Sequence, residues 1–143
     1  MRILVVGDGK VGHTVAEQLT REGHDVVIID KNEDVLQRCE DTLDVLCIRG
    51  NGANARTLLD AGVEKADFVV AATASDETNM LCCLIAKKAG NCHTIARVRN
   101  PIYNKEIGFI KEKLGISMII NPELTAATEI SRLLRFPSAI KID

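Results

Sequence analysis

Six residues near the start of the chain, Gly7, Asp8, Gly9, Lys10, Val11 and Gly12, have the types and spacing to hold an anion. Each glycine has its own task in that chemistry. Gly7 lets the chain turn tightly, Gly9 keeps side-chain bulk away from a phosphate, and Gly12 lets a following helix pack close to the sheet. The amides that open such a helix have no intrahelical partners, and the positive end of its dipole lies there too, so a diphosphate is the natural ligand. Asp30 ends a second apolar run, where its carboxylate can accept hydrogen bonds from a ribose and would repel a ribose 2′-phosphate. The pair of features favours NAD(H), ATP or ADP over NADP. Asp8 places a carboxylate within the phosphate loop, with Lys10 close by.

These residues need elements to position them. Arg2 to Val6 is a short apolar run that reads as a strand, Val11 to Glu22 is an amphipathic helix, and Val26 to Ile29 is a second strand. Asn32 can cap a helix that opens with Glu33 and Asp34 and turns Val35, Leu36 and Cys39 inward. A third strand over Asp44 to Ile48 ends in the turn Gly50-Asn51-Gly52, before a short helix carrying Leu58 and Leu59. Phe68 to Ala72 is a fourth strand, and Thr73-Ala74-Ser75 leads into a helix whose Met80 to Ala86 run is apolar nearly all round. That helix should be deeply buried or lie at an interface. A fifth strand over His93 to Val98 precedes Tyr103, Ile107, Ile110 and Leu114 at helical spacing, then a sixth strand over Ser117 to Ile120. Asn121-Pro122-Glu123 opens a last helix to about Arg135, closed by Phe136-Pro137.

Regular alternation of strands and helices with short turns predicts an α/β fold, a doubly wound, Rossmann-like six-stranded parallel sheet in the order 3-2-1-4-5-6 with helices on both faces. Ligands of such sheets bind beyond the carboxyl ends of the strands, between the first and the fourth. That rule selects the Gly7 to Gly12 turn, Asp30 with Lys31, Gly50 to Gly52, Thr73 with Ala74, and Arg97. Some have structural alternatives. Gly50-Asn51-Gly52 could be only a tight turn, Thr73 only a helix cap, and Arg97 an outward-facing side chain on an edge strand.

Composition narrows the classes. With 143 residues there is room for one ordinary domain. Aromatics make up only 3%, so the core must be built from Val, Ile, Leu and Ala, and single-stranded nucleic acid finds no stacking platform. A formal charge of −2 gives no bulk attraction for nucleic acid or anionic lipid. The chain shows neither a signal-peptide pattern nor a membrane-spanning run, so a cytoplasmic protein without direct membrane insertion is expected.

Cys39, Cys47, Cys82, Cys83 and Cys92 include no C-x-x-C pair and no zinc spacing, and His13, His24 and His93 have no metal-site spacing. Cys82-Cys83 reads as core packing. No metal site and no catalytic residue is expected. The only tyrosine, Tyr103, is followed four residues later by Ile107, so the Tyr-x-x-x-Lys pair of short-chain dehydrogenases is absent. A binding module therefore fits better than an enzyme. The cofactor half of an NAD-dependent dehydrogenase is the alternative, and a SAM-dependent methyltransferase is a third reading, disfavoured by the six-unit alternation.

The chain resembles the TrkA N-terminal family, the KTN or RCK regulatory domains of potassium transport. The resemblance rests on MRILVVGDGKVG, VVIIDKNED, RGNGANARTLLDAGVEKADFVVAATASDETNMLCCLIAKK, TIARVRNP and MIINPELTAATEISRLLRFP. It implies that the Gly7 to Gly12 loop holds phosphates, that Asp30 with Lys31 holds ribose, and that Asn51 lies by the adenosine. Thr73 and Ala74 would line the floor, and Arg97 would meet phosphates or a neighbouring subunit. It further implies a homodimer or higher ring serving a membrane potassium-translocating subunit, peripheral at the inner face of the cell membrane. Residues 1–136 would form the nucleotide-binding domain, and 137–143 would begin a linker to a C-terminal domain.

Overall fold

In a computed structural model of the chain, residues 1–7, 9–120 and 132 are described. Six strands, β1 (Arg2–Val6), β2 (Asp25–Asp30), β3 (Leu46–Arg49), β4 (Phe68–Ala71), β5 (His93–Arg97) and β6 (Met118–Ile120), form one sheet. They pair in parallel in the order β3-β2-β1-β4-β5-β6, as the alternation predicts. Five α-helices lie between them: α1 (Lys10–Arg21), α2 (Glu33–Thr42), α3 (Ala55–Asp60), α4 (Asp76–Gly90) and α5 (Ile107–Leu114).

The strands are apolar along their length because the sheet is covered on both faces. Successive residues of β1 point to opposite sides. Ile3 and Val5 join Val15, Ala16 and Leu19 of α1 and Leu36 and Cys39 of α2. Leu4 and Val6 join Leu58 of α3 and Met80, Cys82, Cys83 and Ala86 of α4. Each fully buried aliphatic side chain contributes roughly 1.5–3 kcal/mol, so the two layers hold the sheet from both sides. The Met80 to Ala86 run is therefore largely spent on the domain's own core, with Leu81 left 44% exposed.

Two local expectations shift by more than a single residue. The third strand begins at Leu46 rather than Asp44, leaving Asp44 exposed in the connection. The helical pattern from Tyr103 to Leu114 is not one helix: Pro101–Glu106 is a 3-10 turn, and α5 starts at Ile107. Pro101 fixes the first position, the Asn100 side chain accepts from the Ile102 amide at 3.1 Å, and the Tyr103 amide donates to the Asn100 carbonyl at 3.1 Å. That i to i+3 closure winds the turn more tightly than an α-helix. The expected helix from Asn121 and the boundary near residue 136 lie outside the described residues.

Candidate functional site

The carboxyl ends of β1, β2, β4 and β5 open onto a cleft of about 510 Å³. Gly7 turns out of β1 at φ +91°, its amide donating to the Ile29 carbonyl at 2.7 Å. A Cβ there would lie 2.9 Å from the Thr73 amide, so the turn is pressed against the end of β4. Gly12 lies behind the cleft rather than in it: its Cβ would meet the Gly7 carbonyl oxygen at 1.8 Å. Gly9 is different, with nothing among the described residues beyond its chain neighbours within 4 Å of a Cβ, so its bareness leaves room beside α1.

Gly9 is also the N-cap of α1, and the first backbone bond there is His13 N–H to the Gly9 carbonyl at 2.8 Å. The amides of Lys10, Val11 and Gly12 precede that bond. Helices α2, α3 and α4 meet the same need with the side chains of Asn32, Asn54 and Ser75. Gly9 brings no side chain, so α1 presents its amides and dipole to the cleft, with Lys10 on the wall. Val11 contributes only backbone, since its side chain packs against the core. Asp8 lies outside the described residues.

On the β2 side, Asp30 and Lys31 line the cleft. The Asp30 carboxylate accepts from the Asn32 amide at 2.8 Å, and its carbonyl accepts from the Gly50 amide at 2.9 Å. Asn51 lines the wall too, while its side-chain oxygen accepts from the Ala53 amide at 2.9 Å. Gly52 allows close packing, a Cβ there falling 2.2 Å from Val6 Cγ1. The tight-turn reading of Gly50-Asn51-Gly52 and its place on the wall thus hold together.

On the other side, Thr73 and Ala74 form the floor. Thr73 is not the cap of α4; Ser75 is, accepting from the Thr78 amide at 3.1 Å. Thr73 instead meets Asn79, which is fully buried. Its amide and hydroxyl donate to Asn79 Oδ1 at 2.8 and 2.6 Å, and Asn79 Nδ2 donates to the carbonyls of Thr73 and Arg97 at 3.1 and 2.9 Å. Arg97 is not on an edge strand, because β6 pairs outside β5. Its guanidinium lines the cleft, Nη1 donating to the Thr73 carbonyl at 3.1 Å. Burial lowers its pKa, with Arg99 acting the same way and Asp76 opposing. Its Nε is buried with no hydrogen-bond partner among the described residues.

Gly7, Gly9, Lys10, Asp30, Lys31, Asn51, Gly52, Thr73, Ala74 and Arg97 therefore share one cleft, while Val11 and Gly12 support it from behind. Sequence reasoning missed Asn32, Val35, Ser75 and Thr78 on its walls, and Asn79 and Asp76 beneath them. Asp76, largely buried, accepts from the amides of Arg99 and Asn100 at 3.1 and 2.8 Å. The described residues contain no group of three or more His, Cys, Asp or Glu placed to hold a metal.

A match to the TrkA-N domain spans residues 3–122. The chain belongs to this family. It is 43% identical over 142 residues to a Trk system potassium uptake protein TrkA homolog of Archaeoglobus fulgidus. That match covers 99% of the chain but 32% of the relative, so the TrkA-N chain spans about a third of its relative's length. Among solved structures, the GsuK channel bound to NAD superposes with a TM-score of 0.70 at 23% identity, over 83% of this chain and 21% of that one. GsuK bound to ADP gives 0.70 at 22% identity, over 84% and 31%. At that identity the likeness shows a common fold.

Proposed function

We propose that this TrkA-N domain binds an adenine nucleotide, NAD(H) or ATP/ADP, and regulates a potassium-transporting membrane subunit without itself being an enzyme. The observation that carries the proposal is the cleft. A helix start without a side-chain cap lies between the Asp30 carboxylate on one side and the Arg97 guanidinium on the other. The carboxylate suits a ribose, the amides suit a pyrophosphate, and the guanidinium suits a further anionic or polar group. NAD and ADP bound to GsuK, and the potassium-uptake name of the A. fulgidus relative, support the same reading.

Regulation needs a ligand with different affinities for two arrangements of the assembly, since equal affinity shifts nothing. We place that difference between copies of the domain in a homodimer or ring on the cytoplasmic face of its partner. Calorimetry with NADH, NAD, ATP and ADP tests the binding. We expect measurable affinity for at least one, and about tenfold weaker binding in Asp30→Ala, the loss of a charged hydrogen bond worth roughly 1.5 kcal/mol. No heat with any of the four overturns the reading.

A further inference from the structure

We propose that Asn79 is the positioning residue of the cleft, holding Thr73 and Arg97 so that the guanidinium is aimed at the part of a nucleotide beyond its first phosphate. The ligand part of this proposal rests on the nucleotide reading above. The positioning part does not.

The geometry has three steps. Asn79 is fully buried where the polar first turn of α4 gives way to its apolar run, and its side chain uses both ends. Oδ1 receives two donors from Thr73, while Nδ2 reaches one carbonyl on the β4 side, Thr73, and one on the β5 side, Arg97. The Thr73 carbonyl that it holds also accepts from Arg97 Nη1. A single amide thus fixes the backbone from which the arginine extends and the oxygen to which it is tethered. A buried network satisfied in this way is rigid, and removing one member leaves the others unpaired.

Sheet order then assigns the arginine its share of a ligand. With β1 between β2 and β4, Asp30 lies on one side of the glycine turn, and Thr73 and Arg97 lie on the other. A nucleotide with its ribose at Asp30 and its first phosphate on the start of α1 must grow toward Arg97. AMP ends before that point. ATP and NADH continue past it, and the buried Nε, which has no hydrogen-bond partner among the described residues, marks a cation with donor capacity left over. Asn79 touches neither ribose nor phosphate in this arrangement and acts only through the residues it holds.

Two variants of the whole chain test it. Asn79→Asp keeps the shape and the acceptor but removes the donor, setting a carboxyl near Arg97, with Arg99 beyond and Asp76 on the same helix; Asn79→Leu removes both functions. In unliganded protein, the Arg97 Nε–H signal, identified by its absence in Arg97→Lys, should exchange with water at least tenfold faster in either variant. Unchanged exchange in a folded variant overturns the positioning role. Should Asn79→Leu fail to fold, Asn79→Asp carries the test. In the binding arm, the ratio of ATP to AMP affinity should fall at least fivefold while AMP affinity stays within twofold. Equal losses for ATP and AMP would make Asn79 a general support of the fold and overturn its role in selectivity. Wild-type protein that binds neither nucleotide would remove the nucleotide reading, and hydrogen exchange would still decide what Asn79 positions.

Discussion

A methyl group on Gly12 would sit 1.8 Å from a carbonyl oxygen, whereas one on Gly9 would touch nothing among the described residues beyond its chain neighbours. Packing therefore accounts for Gly12, while the bareness of Gly9 is left to the proposed seating of a phosphate. Gly12→Ala must push α1 off the turn, at a cost of about 3 kcal/mol, the upper part of the range for overpacking, read as a lower urea midpoint. Gly9→Ala has an ordinary backbone, φ −73°, and should change stability by no more than about 1 kcal/mol. It should nonetheless weaken nucleotide binding at least tenfold by standing where the phosphate goes. If Gly9→Ala binds as wild type does, the phosphate is not seated on α1. The thiols are similarly divided by position. Burial pushes the Cys82 thiol up to about 12 from 9.0, and raises Cys83 as well. Below pH 9 the folded and unfolded chains both keep these protons. Above it the unfolded chain loses them first, so stability falls by roughly 1.4 kcal/mol per pH unit for each such group. Urea unfolding between pH 9 and 11 should show that slope, and Cys82→Ala should flatten it.

At the scale of elements, the strands and the glycine turn were legible because each is a local pattern: apolar runs, a fixed spacing, a carboxylate at the end of β2. Asn32 as the cap of α2 was legible for the same reason. Asn79 was not. In sequence it is one polar residue on a helix, and its partners Thr73 and Arg97 are 6 and 18 residues away. Thr73 meets it across the short β4–α4 turn, and Arg97 only because β4 and β5 pair side by side. Arg97 was half legible: its type and place at a strand end pointed to an anion, but β6 had to be laid outside β5 before it could be seen facing a cleft. The break at residue 107 was hidden because a 3-10 turn and an α-helix space their apolar residues almost alike over one turn. Asp30 and Asn51 show a further limit, since each stabilises its own turn through a side-chain oxygen as well as lining the cleft.

Across the whole molecule, the sheet is covered on both faces, but coverage is uneven. The segment from Pro101 to Leu114 contains no fully buried residue, and it carries Ile102 at 72% and Phe109 at 62% exposure. Met80 to Ala86, by contrast, is mostly committed to the interior. The homodimer proposed above therefore has better contact material in Ile102 and Phe109 than in that run. Light scattering at about 0.1 mM should give a mass above the monomer, with Phe109→Asp shifting it downward while the melting temperature holds. A wild-type monomer at that concentration would count against self-association of this domain.

The chain has one tyrosine and no tryptophan, and the Tyr103 hydroxyl donates to Glu77 Oε2 at 2.5 Å. That contact raises the phenol's pKa and joins the first turn of α4 to the segment after β5. The protein thus contains its own single optical reporter, a phenol beside a carboxylate that quenches its emission. A change in ultraviolet fluorescence on mixing with a ligand would register movement of one loop without any dye attached.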